Sequence, residues 1–308
     1  MSEPSNKLPS PGSENSFGGR LRRYAQVSGT VAGQAARYAG HRMASRSFDR
    51  DVHANELRVA FGGLKGPLMK VAQILATIPD ALPPEYAAQL AQLQSNAPPM
   101  GKPFGVARMA TELGPSWAQE FADFPLEAAA AASLGQVHKA TMKDGRAVAC
   151  KLQYPDIESA VEADLGQLRL IISLYRRYDS AIDPSLIYEE VAERLREEID
   201  YKREARHMRV YREILAEEPG VRVPEVVDYL STPRLLTMEW LDGEPLLSFK
   251  DADREVRNTI ALNMFRAWYV PFYGFGVIHG DPHLGNYSVR DDHSINLLDF
   301  GCVRIFPP

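Results

Sequence analysis

The stretch "HGDPHLGN", His279 to Asn286, holds the first residues whose types and spacing suggest chemistry. Asp281 and Asn286 stand five positions apart, and Asp299 follows at the end of the apolar run "SINLLDFG". Two carboxylates and an amide oxygen are thereby offered within one short segment. Hard oxygen donors of this kind suit Mg²⁺, which keeps several waters and bridges nucleotide phosphates. A lone DFG recurs by chance, but D-x-x-x-x-N, a short gap, an apolar strand and then DFG form a specific ordered set.

In protein-kinase-like sites the loop aspartate accepts the substrate proton, while the asparagine and the DFG-type aspartate hold metal. On that pattern Asp281 is the catalytic carboxylate, Asn286 and Asp299 are the metal ligands, and ATP and Mg²⁺ are the cofactors. The segment "AVACKLQYP" adds a lysine. Strand alternation sends Ala149 and Lys151 to one face and Cys150 to the other. An ammonium in an apolar strand needs a charge partner. Such a lysine, after a phosphate-covering loop, can contact the α- and β-phosphates and pair with a helical glutamate. The helical run "EEVAERLREEIDYKREA" supplies Glu198, Asp200 and Glu204 as partners, Glu198 and Glu204 being six apart. His279 reads as a brace for the loop and His283 as a residue that orients either the loop or the nucleotide; neither reads as a metal ligand.

These residues need elements to hold them. Helical spacing of Leu64, Leu68, Val71 and Leu75 marks a helix that also carries Lys70 and Gln73. Further helices are expected before residue 120, without strand alternation. From about 126 the texture reads as strand, turn, strand, with "KDGR" as the hairpin turn. Two long helical stretches are expected over 156–179 and 184–216, short strands near Arg222–Val223 and in "RLLTMEW", and a helix over 251–273.

Composition sets the outer limits. The chain has 308 residues, a net charge of -5, and 45% hydrophobic and 24% charged residues, ordinary values for a globular protein. That acidic balance argues against nucleic acid as a partner. Two cysteines, Cys150 and Cys302, fit a reducing compartment and a cytoplasmic location. No apolar run is long enough to span a bilayer. Residues 17–48 include Arg20, Arg22, Arg23, Arg37, Arg42 and Arg46 and no acidic residue. Such a segment can lie on an anionic membrane surface at its inner face, resemble a transit peptide, or simply cap the domain as a solvated helix.

At this point the chain resembles the UbiB-type atypical kinases, protein-kinase-like ATPases linked to ubiquinone biosynthesis. The carriers are "KVAQ", "AAAAASLGQVHKA", "CKLQYP", "EIDYKREA", "HGDPHLGN" and "DFG". The resemblance implies an α+β protein-kinase-like fold with an N-terminal helical extension and an incomplete C-terminal lobe. It also implies that the alanine-rich segment replaces a glycine loop over the nucleotide, through Ala131, Ala132 and Ser133. The backbone near Glu239 and Leu241 would meet adenine. Lys70, on a lid-like helix, would pair with Glu198, and Lys151 with Glu204. The chain departs from the K-x-G-Q pattern at Ala72, where relatives carry glycine.

The domain organisation expected is a disordered leader over 1–18, a helical extension over 19–120, a kinase-like N-lobe over 121–242 and a partial C-lobe over 243–308. Only "CVRIFPP" follows DFG, so the sequence reads as a truncated chain whose helix at 251–273 exposes apolar surface. The resemblance implies ATP as ligand, isoprenoid lipid or ubiquinone-biosynthesis proteins as partners, and peripheral membrane contact. Two other readings remain: a small-molecule phosphotransferase of the aminoglycoside or choline kinase type, and a nucleotide-binding scaffold with little turnover.

Overall fold

The hairpin that carries Lys151 is built by its turn. Asp144 accepts a hydrogen bond from the Arg146 N–H at 3.0 Å, and Gly145 takes φ +87°, a left-handed conformation glycine adopts without strain. The computed structural model describes residues 102–132, 134–175, 184–281 and 283–307; described elements are numbered in chain order. Helix α1 (Lys102–Leu113) precedes strands β1 (Phe121–Asp123), β2 (Ala130–Ala132), β3 (Gly135–Met142) and β4 (Ala147–Gln153). With β6 (Leu235–Glu239) they form a five-stranded sheet ordered β1-β3-β4-β6, β2 pairing with β3. All these pairings are antiparallel.

Strand β4 is therefore interior, with Lys151 opposite Val137 on one side and Leu236 on the other. Its residues alternate between two apolar cores. Ala149 joins Tyr201, Met208, Leu236 and Phe300, whereas Val148, Cys150 and Leu152 join Met109, Trp117 and Phe121. The alanine-rich segment, expected as a loop, forms β2 instead. Alanine is a poor strand former, and the ladder from Ala130–Ala132 to Gly135–Val137 imposes the extended state.

Helix α2 (Ile157–Tyr175) is followed by α3 (Pro184–Glu198) and α4 (Tyr201–Ile214). The stretch expected as one helix over 184–216 is thus two. Asp200 is the reason: its side chain accepts from the Arg203 N–H at 2.9 Å and starts a new helix as N-cap. Glu198 consequently closes α3, and Glu204 sits in the first turn of α4. Two compact units divide the described residues, one comprising Pro155–Leu195 and the other those within Pro98–Tyr154 and Arg196–Pro308. The residues discussed below lie in the second.

The remaining elements are β5 (Val221–Arg222), β7 (Glu244–Pro245), α5 (Arg254–Phe275), β8 (Val277–His279), β9 (Tyr287–Val289), β10 (Ile295–Leu297) and β11 (Val303–Ile305). They pair as a four-stranded sheet, β5-β10-β9-β7, and a two-stranded β11-β8 ribbon. Helix α5 ends at Gly276, which is left-handed at φ 64° and returns its N–H to the Phe272 and Pro271 carbonyls. On the solvent side of α5, exposed Phe265, Tyr269 and Tyr273 stack in succession at 4.9 and 4.4 Å between ring centroids.

Two glycines make the packing testable. A Cβ on Gly135 would lie 2.2 Å from the Leu152 carbonyl oxygen and 3.0 Å from the Tyr201 hydroxyl, whereas one on Gly274 meets nothing within 4 Å. Gly135→Ala is expected to cost about 1–3 kcal/mol through overpacking of the β3–β4 pair. Gly274→Ala, in the last turns of α5, is expected to be neutral or to stabilise by up to about 1 kcal/mol. Urea midpoints of the two variants read this directly, and equal midpoints would contradict the packing.

Candidate functional site

Lys151 sits where two carboxylates converge. Its Nζ donates to both oxygens of Glu204, at 2.8 and 3.0 Å, and reaches Asp299 Oδ2 at 3.4 Å. The Tyr201 ring lies beneath, 5.2 Å from Nζ to its centroid. Glu204 is 1% exposed and the Lys151 side chain 11%, but Asp299 is 37% exposed and faces solvent. Burial disfavours the ammonium, yet Asp299 and Glu204 outweigh it and hold the Lys151 pKa well above its ordinary value. Burial pushes the Glu204 carboxyl up to about 7, against the pull of Lys151, and the nearby Asp299 charge adds to the rise.

The loop bearing Asp281 is held from both ends. His279 is 1% exposed on β8. Its Nε2–H donates to the Asp299 carbonyl, and its Nδ1 accepts from the Asp281 N–H at 3.4 Å. Asn286 closes the 3₁₀ turn Leu284–Asn286. Its Nδ2 donates to the Asp281 carbonyl at 3.1 Å, and its own carbonyl accepts from the Leu298 N–H at 3.0 Å. Asn286 therefore fixes the loop against the residue just before Asp299. His283 caps that turn, with Nδ1 accepting from the Gly285 N–H at 3.1 Å.

The donor chemistry suits Mg²⁺ bound together with phosphate. Asp299 uses Oδ1 on the Gly301 N–H at 2.9 Å, and turning the Asn286 nitrogen onto Asp281 leaves its amide oxygen as the acceptor. Among the described residues no group of three or more His, Cys, Asp and Glu forms a metal nest. One carboxylate and one amide oxygen are what a cation needs when phosphate oxygens and water complete its shell.

Other residues singled out from the sequence fall into four groups. Glu198 lies against the DFG glycine, since a Cβ on Gly301 would come within 3.9 Å of Glu198 Cγ. Ala131 and Ala132 lie on β2, opposite Gln136 and Gly135. Glu239 ends β6, its N–H donating to the Glu225 carbonyl, and the Trp240 N–H takes the Ala147 carbonyl before Leu241. Lys70, Ala72 and Ser133 lie outside the described residues, as do the leader and the arginine-bearing segment. Tyr201, Arg203 and His207 were not expected at the site. The signal for two of them was present: Tyr201, Glu204 and His207 recur every three residues on the buried face of α4.

A model of the ABC1 atypical kinase-like domain matches residues 92–308. The chain belongs to the ABC1 atypical kinase-like family. Its kinase-like α+β fold follows, in agreement with the resemblance drawn from the motifs. This ABC1-family chain is 34% identical over 260 residues to Activity of bc1 complex kinase 1, chloroplastic, of Arabidopsis thaliana, covering 82% of the chain and 38% of that protein. It is 29% identical over 258 residues to atypical kinase COQ8, mitochondrial, of Saccharomyces cerevisiae, covering 83% and 52% respectively. The chain thus spans about half, or less, of the length of these relatives. A solved structure, the complex of Rv3197 with erythromycin from Mycobacterium tuberculosis, matches with a TM-score of 0.62 at 32% identity, over 83% of this chain and 65% of that one. Among the described residues no helix is long and apolar enough to cross a membrane.

Removal of Lys151 should expose the burial of Glu204. The Glu204 pKa already stands above its ordinary 4.5 because of burial, and Lys151 pulls it down. Lys151→Met therefore raises it further. A carboxyl with a raised folded-state pKa favours the fold while protonated and loses that contribution as pH rises through its folded value. Lys151→Met is expected to lose on the order of 3 kcal/mol at pH 8 and measurably less at pH 6. Urea denaturation of both proteins at the two pH values tests this. A loss independent of pH would mean that Glu204 is not left stranded.

Proposed function

We propose that this chain binds ATP with Mg²⁺ and acts as an atypical kinase or ATPase in the biosynthesis of ubiquinone or a related isoprenoid lipid. The single observation that carries the nucleotide reading is the Lys151 ammonium held between Glu204 and Asp299. A lysine so placed is charged, oriented and one carboxylate away from the metal position. In this reading Lys151 contacts the α- and β-phosphates, and β2, with Ala131 and Ala132, lies over them. Asn286 and Asp299 hold Mg²⁺, which when bound neutralises phosphate charge. The Glu239 carbonyl and Leu241 N–H meet adenine. Asp281 accepts a proton from the attacking hydroxyl or water, its backbone fixed by Asn286 and His279.

The pathway part of the reading is supported by the company of relatives: kinases by name, assigned to mitochondria or chloroplasts. The motif resemblance favours an isoprenoid-lipid setting over antibiotic or choline phosphorylation. Glu198 against Gly301 supports a role for that carboxylate beside the DFG turn. Lys70 as its partner, and peripheral membrane contact through the arginine-bearing segment, complete the proposal.

Thermal-shift titration with ATP, with and without Mg²⁺, tests the nucleotide reading. The unaltered chain should gain about 2.7 kcal/mol at a hundredfold excess over Kd. Asp299→Ala should lose the Mg²⁺-dependent part while its melting without ligand stays close to that of the parent. An unchanged Mg²⁺-dependent gain in Asp299→Ala would remove Asp299 from the metal site. Binding without phosphate release in a turnover assay would identify a nucleotide-binding scaffold instead.

A further inference from the structure

The turn that carries Asp299 has all its carbonyls occupied. His279 Nε2–H donates to the Asp299 carbonyl. The Phe300 carbonyl accepts from His207 Nδ1 at 3.1 Å, and the Gly301 carbonyl from Arg203 Nη1 at 3.3 Å. The Gly280 N–H takes the Cys302 carbonyl at 2.6 Å, and Arg203 Nη2 reaches the Val303 carbonyl at 3.4 Å. Consecutive peptide units in a turn have no ladder to orient them, so side chains and the Asp281 loop do it here. Two of these side chains, Arg203 and His207, stand one helical turn apart on α4, flanking Glu204. The same helix thus grips Lys151 through Glu204 and the DFG turn through its neighbours. Arg203 is itself steadied by Glu197 at 2.7 Å, and Arg304 binds both Glu197 oxygens at 2.6 and 2.7 Å.

We propose that Arg203 and His207 are positioning residues for the metal site: they hold the Phe300 and Gly301 peptide units so that Asp299 stays turned toward Lys151 and its cation. The proposal rests on the Mg²⁺–nucleotide reading of the site. Nothing about either side chain reaches the reacting atoms. Both act through the backbone that fixes Asp299, and α4 contacts both Lys151 and the turn that carries Asp299. Packing alone would not require donors on successive carbonyls; an apolar side chain of the same size would fill the space beside Phe300 equally well.

The experiment uses the whole chain and titrates Mg²⁺ at fixed ATP, reading ATP binding by calorimetry or fluorescence. His207→Leu and Arg203→Met should bind Mg²⁺-free ATP as the parent does. Each should need about tenfold more Mg²⁺ for half of the Mg²⁺-dependent gain, the equivalent of one buried hydrogen bond. His207→Asn, which restores an N–H donor, should recover most of that loss, and Arg203→Lys part of it. If His207→Leu does not fold, Arg203→Met supplies the same measurement from a side chain 20% exposed. Unchanged Mg²⁺ requirements in folded variants overturn the proposal, as does equal impairment of His207→Asn and His207→Leu, which would assign the effect to packing. A parent chain with no Mg²⁺-dependent gain would overturn the reading of the site, and this proposal with it.

Discussion

Placing the Lys151 ammonium on an interior strand removes it from water, a cost that only nearby anions return. Two requirements follow. One carboxylate must be buried with it and fixed, which Glu204 achieves from the first turn of α4. A second, Asp299, adds its charge from a position that stays partly in solvent. The two carboxylates differ in exposure, and so in what they can do. Glu204 is a structural counter-ion whose charge depends on Lys151, whereas Asp299 retains access to water.

Both carboxylates reach Lys151 from elements outside its own sheet. Helix α4 packs through Tyr201, Ala205, Met208 and Tyr211 into the core shared with Ala149 and Phe300. The β8–β11 ribbon brings His279 opposite Val303, setting the Asp281 loop beside the DFG turn. Asn286 then ties that loop to Leu298. Removing any one of these ties leaves the residues present but loosens their mutual geometry, which sites of this kind tolerate poorly.

The sequence made it easier to read which residues would come together than the architecture around them. Asp281, Asn286 and Asp299 were legible because their spacing is fixed by a short loop and one strand. Lys151 was legible because alternation in "AVACKLQYP" assigns faces without knowledge of neighbours. The break between α3 and α4 was hidden: no glycine or proline marks it, and only Asp200, as an N-cap, starts the second helix. Strands β8 and β11 have three residues each, too few to show a period. Strand β2 is three alanines, whose extended state comes from pairing with β3 and from nothing intrinsic to alanine. Arg203 and His207 act on backbone carbonyls, and no pattern of residue types reveals which carbonyls a fold leaves in need of donors.

The separations along the chain also set an order of assembly. Lys151 and Glu204 are 53 residues apart, whereas Lys151 and Asp299 are 148 apart. Loop closure grows as the logarithm of length, so the longer closure costs about 0.9 kcal/mol more than the shorter one. Chains also emerge from the ribosome N-terminus first. The buried ion pair can therefore form on the nascent chain before the DFG turn has been synthesised. Strand β10 must still wait to pair with β5 in parallel, Ile295 beside Val221, a long-range contact of the slow kind. A chain paused before β10 would already hold its lysine and glutamate together, and would gain the more exposed carboxylate of Asp299 only afterwards.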